Sequence, residues 1–450
     1  MTVFITNLSE DVWGFIQSID DEKERTFEIL ENSFLSDRDL FSVCDIPDAC
    51  FISPQPIDPD FFQYQTELTG AQNIQALAPK VHTGEVCIDC IKDKTLFKKL
   101  VKLGKTHGGL TLLPYSTTAQ FFELVKALEK AGVSVQTPDS PPKEDLWTVN
   151  FLGSKAGIRQ IVQKYQHLNH DLIMADGLIC SGINEIAQIA AYKYVEENGV
   201  VIKTNKGHSG AGVLIYAPDE LPREYDQCVK KIKHALNLDE YWNIFPVVVE
   251  SYIKPNFSIG GGFPNFECRI HENGKVEILY NCGMRMSDQG VFLGVEIQKE
   301  ILPKKTQQIF HKIGRLLGKV YTQLGYRGYF DVDFIAGTDG KLYLTESNVR
   351  RTGGTYAYEA ARKLIGKNFM TKSYFATRSA YPLPTKKLLK FNKVKKLLEP
   401  VLFDHKTKEG VVLTTANVFR QHKIAYIVFG KDKPRALAIE EKMHKLLKKL

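Results

Sequence analysis

The chain has 450 residues, of which 43% are apolar and 25% are charged. These ordinary globular values exclude an intrinsically disordered chain, a collagen and a coiled-coil rod. No apolar run reaches the ~18 residues of a membrane-spanning helix, and the N-terminus carries acids where a signal peptide would carry a basic region. We therefore expect a cytoplasmic protein of about three domains, without a membrane partner.

The formal net charge of +7 comes from the C-terminal end of the chain. Residues 381–450 hold 17 Lys or Arg and 6 Asp or Glu, whereas the residues before them carry a small acidic excess. Such a segment could bind nucleic acid or another anionic surface. Its lysines are not interleaved with aromatic residues, which stacking on bases would need. We therefore favour a solvated helical face over a nucleic-acid partner.

Eight cysteines are spread along the chain, and at this density reduced thiols are the rule. Cys87 and Cys90 form a C-x-x-C pair, which Cys44 and Cys50 could complete as a four-thiolate zinc site. The spacing of the second pair is too wide for most such sites, and no His supports them. Free structural cysteines are the favoured interpretation.

The first 145 residues alternate short strands and helices. Strands are predicted at residues 3–6, 109–115 and 133–136, and apolar residues at helical spacing predict a helix between the last two. This alternation is typical of an α/β layer with parallel strands. The Pro-rich stretch at residues 137–143 is a predicted linker.

The central part of the chain, residues 146–375, has denser glycine and strand signals. Glu272-Asn-Gly274 is a strong hairpin turn signal, and a second turn lies at residues 337–340. The predicted helices cover residues 184–197 and 309–320, and the predicted strands cover residues 200–204, 212–216, 246–252, 266–271, 275–281, 329–335 and 342–345.

The last part, residues 376–450, is predicted to be a small basic α+β appendage. Two strands, at about residues 410–415 and 424–429, lie between two basic helices. The predicted domains are therefore residues 1–145, 146–375 and 376–450.

A glycine-containing loop follows Lys203 at the end of a predicted strand. The loop carries three glycines up to Gly212. Glycines let backbone N–H groups approach a polyphosphate, and a lysine supplies a point charge. No helix-opening G-K-[ST] follows, so this is not a Walker loop. The alternative is a flexible hairpin with an incidental lysine.

Three oxygen-bearing side chains, Asp333, Glu346 and Asn348, flank the hairpin at residues 334–345. Residues 346 and 348 share one face of an extended chain. Oxygen ligands on adjacent strands suit Mg²⁺. Solvated edge-strand acids are the alternative, but Asp333 lies in an apolar run, where a carboxylate needs a partner or a metal.

A further segment, Glu250-Ser-Tyr-Ile253, follows an apolar strand and could present backbone groups to an adenine edge. In order and spacing, these segments resemble the ATP-grasp superfamily over about residues 150–365. The separations of Glu346 and Asn348 from Asp333 are similar to those of D-alanine–D-alanine ligases. Residues 146–159 are similar to pheganomycin-type peptide ligases, which carry a pre-ATP-grasp domain ahead of the catalytic unit.

The resemblance implies an α/β (α+β) fold with an N-terminal pre-ATP-grasp α/β domain, an ATP-grasp fold and the C-terminal α+β appendage. It implies an ATP-dependent carboxylate–amine ligase that forms a peptide or amide bond through an acylphosphate and releases ADP and phosphate. The substrates would be a small-molecule or peptide carboxylate and an amine. No Ser/His/Asp or Cys/His nucleophile signature is present, which agrees with this chemistry.

The resemblance also assigns roles to residues. ATP would be bound by Lys155, Lys203, His208, Ser209, Gly210, Glu250, Tyr252 and Ile253. One or two Mg²⁺ ions would be held by Asp333, Glu346 and Asn348. Arg285 would stabilise the acylphosphate and the tetrahedral oxyanion, with a surface ion pair as its alternative role. Arg350 or Arg351 would bind the substrate carboxylate bidentately.

Three alternatives stay open at the level of the sequence. The chain has Lys254-Pro-Asn-Phe-Ser258 where ribose-binding members have an acid, which leaves the nucleotide preference undetermined. The same fold could serve a phosphotransferase or a non-catalytic nucleotide-binding regulator. A homodimer is compatible with the sequence.

Overall fold

The computed structural model describes residues 1–207, 212–287 and 291–450. The strands are β1 (Thr2–Ile5), β2 (Ala49–Ile52), β3 (Gln75–Leu77), β4 (Leu110–Pro114), β5 (Val135–Gln136), β6 (Ile173–Met174), β7 (Gly177–Cys180), β8 (Val200–Thr204), β9 (Val213–Tyr216), β10 (Val247–Ser251), β11 (Pro264–Ile270), β12 (Val276–Met286), β13 (Phe292–Ile297), β14 (Gly328–Ala336), β15 (Leu342–Asn348), β16 (Tyr374–Pro382), β17 (Gly410–Thr415) and β18 (Lys423–Gly430).

The helices connect and cover these strands. They are α1 (Leu8–Asp11), α2 (Trp13–Gln17), α3 (Glu22–Leu35), α4 (Pro59–Thr69), α5 (Val86–Lys92), α6 (Lys94–Thr106), α7 (Ala119–Lys130), α8 (Trp147–Leu152), α9 (Lys155–Tyr165), α10 (Ile183–Glu197), α11 (Tyr225–Leu236), α12 (Lys304–Gln323), α13 (Thr355–Leu364), α14 (Phe369–Lys372), α15 (Phe391–Leu398) and α16 (Lys433–Leu447). Within the described ranges, no helix is both long and apolar enough to cross a membrane.

The N-terminal sheet has the strand order β3-β2-β1-β4-β5, and all its neighbouring strands are parallel. The predicted α/β layer with parallel strands is thereby confirmed. The strand order reverses beside β1, and open α/β sheets commonly bind ligands at the carboxyl ends of strands at such a position.

The second sheet has four antiparallel strands in the order β7-β10-β8-β9. One face packs on α10 and α11 through a core that includes Ile202, Ile232 and Val249. Side chains alternate along a strand. Lys203 and Glu250, each next to one of these core residues in its strand, therefore point to the opposite face.

The third sheet has nine strands in the order β17-β18-β16-β13-β12-β11-β14-β15-β6. Helix α12 packs against one face, where Phe310 contacts Phe266 and Phe334. Because Phe266 of β11 and Val332 of β14 belong to this core, the residues next to them along each strand face the other way. That second face carries the polar residues of the candidate site.

The C-terminal segment has the predicted order of helix, two strands and helix. Strand β18 pairs with β16 and β17, so the segment extends the nine-stranded sheet. Its buried residues, such as Phe391 and Met443, share one apolar cluster with Phe51 and Phe61 of the N-terminal part. The fold class is confirmed, and the domain boundaries at residues 145 and 375 stay a prediction.

A buried carboxyl joins the N-terminal part to the C-terminal strands. Asp37 is fully buried, and its Oδ2 accepts hydrogen bonds from the backbone N–H groups of Ala416 and Asn417, at 2.9 and 3.1 Å. Burial raises the pKa of Asp37 to about 7, although these hydrogen bonds oppose the rise. The folded protein therefore holds a proton here that the unfolded chain releases near pH ~4.

We expect Asp37→Asn to reduce the pH dependence of stability between pH 5 and 8. The wild-type carboxyl contributes stability that is lost as pH rises through the folded-state pKa, with a slope of at most about 1.4 kcal/mol per pH unit. The amide of the variant cannot titrate, so its contribution is constant. Urea unfolding across this range measures the slope. Asp404→Asn is the control, because Asp404 also accepts two backbone N–H bonds but is exposed. Identical slopes for wild type and Asp37→Asn would contradict the assignment.

Candidate functional site

Six polar side chains form two rows across β11, β14 and β15 on the face opposite α12. Register neighbours make up each row: Asn265, Asp333 and Glu346 in the first, and Glu267, Asp331 and Asn348 in the second. The prediction that Asp333, Glu346 and Asn348 lie together depended on the hairpin register and on strand alternation. The structure brings these three side chains together.

Hydrogen bonds connect the acids of the two rows. The Asn265 amide donates to Asp331, at 3.0 Å, and to Asp333. The Asn348 amide donates to Asp333 Oδ2 at 3.1 Å. Burial, followed by the charges of Asp331 and Glu346, raises the pKa of Asp333 well above its usual range. The rows therefore concentrate negative charge that two amides only partly compensate.

This donor set fits a magnesium ion. Hard cations such as Mg²⁺ bind carboxylate and amide oxygens, and a divalent cation would relieve the repulsion within the rows. In the described part of the chain, no group of three or more His, Cys, Asp or Glu is arranged to hold a metal by itself. The fit therefore depends on the amide oxygen of Asn348, which also accepts a hydrogen bond from Arg350 Nη2. Sequence analysis missed Asp331, although its position two residues before Asp333 gave the signal.

Two lysines face the rows from different elements. Lys155 is the first residue of α9, and its Nζ lies 3.0 Å from Glu346 Oε2. This ammonium lowers the pKa of Glu346 to about 2, and the charge of Lys203 acts in the same direction. The Nζ of Lys203 lies 2.6 Å from Glu250 Oε2. Both lysine side chains are only 10% exposed.

The carboxylate of Glu250, a predicted ATP-binding residue, lies inside the protein. Its carboxylate is buried between Lys203 and Arg159, whose Nη2 lies 2.7 Å from Oε1. Burial disfavours the charged form, but the two cations outweigh it and lower the pKa of Glu250. The side chain therefore orients Lys203. Tyr252 and Ile253 follow β10 in the segment that leads to β11, and in this segment Pro255 bridges to Gly337 of the β14–β15 turn.

The loop after Lys203 is closed at its base by Thr204. The Thr204 N–H donates to the Gly212 carbonyl at 2.8 Å. Gly212 has φ +76°, and an added Cβ would lie 2.1 Å from Thr204 Oγ1, so this position requires glycine. His208, Ser209 and Gly210, which were expected to cover a γ-phosphate, lie outside the described residues.

Arg350 projects beside the second row and is held by the N-terminal part. Its Nη2 donates to Asn348 Oδ1 at 3.2 Å, and its Nε donates to Asp11 Oδ2 at 2.6 Å. Its Nη1 lies 3.4 Å from the Tyr115 hydroxyl and 3.1 Å from the Arg351 carbonyl. Of the five N–H donors of a guanidinium, these described contacts leave one free, on Nη2. These contacts therefore do not support the expected bidentate binding of a carboxylate by Arg350.

Arg351 and Arg285 are bound elsewhere. Arg351 is buried, donates to Asp139 at 2.7 Å and stacks 3.9 Å from the centre of the Tyr329 ring. Arg285 makes a bidentate pair with Glu440 of α16, at 2.8 and 3.0 Å. Both arginines direct their donors to buried carboxylates, so neither contact supports the expected roles in substrate or oxyanion binding.

Sequence analysis also missed Glu267. This fully buried carboxyl accepts hydrogen bonds from the hydroxyls of Tyr280, Thr352 and Thr355, at 2.5, 2.8 and 2.6 Å. Burial and the nearby charge of Asp331 raise its pKa to about 7. Glu267 thereby anchors the Thr352–Thr355 turn next to the second row. Its one signal in the sequence is its place between two apolar residues of a predicted strand.

No family model and no curated protein matches this chain. Solved structures do match it across almost its whole length. Biotin carboxylase from Campylobacter jejuni, a β,γ-ATP complex, has a TM-score of 0.54 at 12% identity and covers 97% of this chain and 89% of its own. An N5-carboxyaminoimidazole synthase from Aspergillus clavatus, in complex with ADP and 5-aminoimidazole ribonucleotide, has a TM-score of 0.53 at 12% identity and covers 100% and 99%.

A third similar structure is the biotin carboxylase domain dimer of 2-oxoglutarate carboxylase from Hydrogenobacter thermophilus, in complex with MgADP, ADP and bicarbonate. Its TM-score is 0.51 at 14% identity, and it covers 95% of this chain and 86% of its own. At these identities the likeness establishes the fold. The predicted ATP-grasp fold behind an N-terminal α/β domain is confirmed, and the narrower similarity to pheganomycin-type ligases stays a prediction.

We expect Glu250→Gln and Glu346→Gln to differ in stability. The first leaves Lys203 and Arg159 as buried cations without an anion, which should cost about 3–5 kcal/mol of unfolding free energy. The second removes a carboxylate that is 37% exposed and paired with one lysine, and it also relieves the repulsion between Glu346 and Asp333, so its loss should be smaller. Urea unfolding without nucleotide or metal measures both. Equal losses would contradict the distinction between an orienting acid and a ligand-binding acid.

Proposed function

We propose that the protein is an ATP-dependent ligase that joins a carboxylate to an amine through an acylphosphate, with ADP and phosphate as products. The observation that carries the proposal is the position of Lys155 and Lys203 beside the three predicted metal ligands, Asp333, Glu346 and Asn348. Cations suited to phosphates lie close to acids suited to a metal. Structures of the same fold contain ADP or MgADP, which supports a nucleotide here.

In this proposal Lys155 and Lys203 hold the α- and β-phosphates, while the segment at Tyr252 and Ile253 borders the adenine. His208, Ser209 and Gly210 are the residues proposed to bind the γ-phosphate. Glu250 acts indirectly, since its carboxylate orients Lys203. No acid is available to bind the ribose, because the segment from Lys254 to Ser258 contains no Asp or Glu.

Asp333, Glu346 and Asn348 hold one or two Mg²⁺ ions in this proposal. When bound, Mg²⁺ neutralises phosphate charge and polarises the γ-phosphoryl group as a Lewis acid. Burial, followed by the charges of Asp331 and Glu346, raises the pKa of Asp333, and this cost of ionisation supports a cation at this place. The assignment of Mg²⁺ to these residues is based on the oxygen ligands that their side chains offer.

The chemistry needs no nucleophile from the protein. A substrate carboxylate oxygen attacks the γ-phosphorus and ADP leaves; an amine then attacks the acyl carbon and phosphate leaves. All eight cysteines are buried, and burial raises the pKa of thiols such as Cys87 and Cys282, which keeps them in the unreactive protonated form. Catalysis then depends on positioning and on charge stabilisation.

Arg350 takes the role that the sequence gave to Arg285. Its free Nη2–H lies beside Asn348, where negative charge would develop on the transferred phosphoryl group or on the tetrahedral intermediate. Asp11 fixes the guanidinium from the N-terminal part at 2.6 Å. This contact gives the N-terminal part a role at the reaction centre.

The substrates are proposed as a small-molecule or peptide carboxylate and an amine, and the location as the cytoplasm. We also propose a homodimer, because one solved structure of this fold is a domain dimer. No nucleic-acid role is proposed for the basic C-terminal segment.

We expect Glu346→Gln to keep the fold and to lower Mg²⁺-dependent release of ADP by about 10²-fold or more, a loss comparable with removal of one charge-stabilising group. ADP release is measured with panels of carboxylates and amines at saturating Mg²⁺. The matched control is Glu277→Gln, because Glu277 is an exposed acid of the same sheet that pairs only with His271 among the described side chains. Unchanged turnover in Glu346→Gln would contradict the metal assignment. ADP release that needs a hydroxyl acceptor instead of an amine would favour a phosphotransferase.

A further inference from the structure

The N-terminus of α9 is capped by a residue from a distant part of the chain. The first N–H groups of a helix have no partner within the helix. Here the Lys155 N–H donates to the Asn205 carbonyl at 2.9 Å, and the Ala156 N–H donates to Asn205 Oδ1 at 3.0 Å. The third, that of Gly157, donates to Ser154 Oγ at 3.0 Å. Asn205 therefore supplies two of the three acceptors.

Asn205 also belongs to the segment that carries the second lysine. It lies two residues after Lys203, just beyond the end of β8. Lys155 reaches Glu346 of the nine-stranded sheet, whereas Lys203 reaches Glu250 of the four-stranded sheet. The two lysines thus contact different sheets, and the hydrogen bonds of Asn205 directly join the helix of one to the strand of the other.

We propose that Asn205 is a positioning residue that fixes the distance between Lys155 and Lys203. The inference rests on the proposed nucleotide function, and it adds a residue that touches neither phosphate nor metal in that function. Lys155 is the first residue of its helix, so it moves with any fraying of that end. The two bonds from Asn205 prevent this movement relative to Lys203. Separation of two cations sets how well they bind adjacent phosphates.

The same contacts exclude a competing role for this helix end. Helix N-termini often bind anions through free N–H groups. At α9 the first three N–H groups are already bound to Asn205 and Ser154. Phosphate binding at this place therefore falls to the side chain of Lys155, whose position Asn205 controls.

The test compares Asn205→Ala with Ser154→Ala. Each variant removes one side-chain acceptor from the same helix end, so both should lower stability to a similar extent. Only Asn205→Ala cuts the side-chain link to the β8 segment. We expect the Kd of MgADP, measured by titration calorimetry, to rise about fivefold in Asn205→Ala, the equivalent of one lost cap. In Ser154→Ala it should change less than about twofold, because that change leaves both bonds from Asn205 in place.

A second measurement separates positioning from general destabilisation. If Asn205 acts through Lys155, then Asn205→Ala should not weaken MgADP binding further in a Lys155→Met background. Equal weakening in Asn205→Ala and Ser154→Ala, or full additivity with Lys155→Met, would overturn the inference and leave the proposed function standing. Absence of MgADP binding by the wild-type protein would overturn the proposed function itself, and this inference with it.

Discussion

The arrangement of the site depends on the repulsion among carboxylates that strand register places side by side. Asp333 and Glu346 are direct register partners, and Asp331 lies one row away. Carboxylates at this spacing cannot all stay ionised in a partly buried place without cations. Lys155 meets Glu346 at 3.0 Å, and the charges of Lys203 and Arg350 act on the same rows. These cations therefore stabilise the acids that stay ionised, above all Glu346.

Each of these cations is held by a different part of the protein. Lys155 starts a helix capped by Asn205, Lys203 is paired with a buried Glu250, and Arg350 is fixed by Asp11. The three supports come from the segment after β8, from the four-stranded sheet and from the N-terminal part. Correct docking of all three around the nine-stranded sheet therefore assembles the site.

Local patterns predicted the parts of the site that local geometry determines. Hairpin register and strand alternation brought Asp333, Glu346 and Asn348 together as expected. Ion pairs between distant residues were not predictable in this way. Arg285 pairs with Glu440, 155 residues away, and Arg351 with Asp139, 212 residues away. Likewise, the sequence holds only weak signals for Glu267 and Asp331, and the packing of α12 on the opposite face shows where they point.

Transfer of an oxygen atom from the substrate carboxylate to a product distinguishes the proposed acylphosphate from an acyl-adenylate. Turnover with a carboxylate substrate labelled with ¹⁸O, followed by mass analysis of the products, traces the attacking oxygen. The account predicts one labelled oxygen in the released phosphate, together with ADP. Release of AMP and pyrophosphate, with the label in AMP, would show adenylation and would contradict the mechanism.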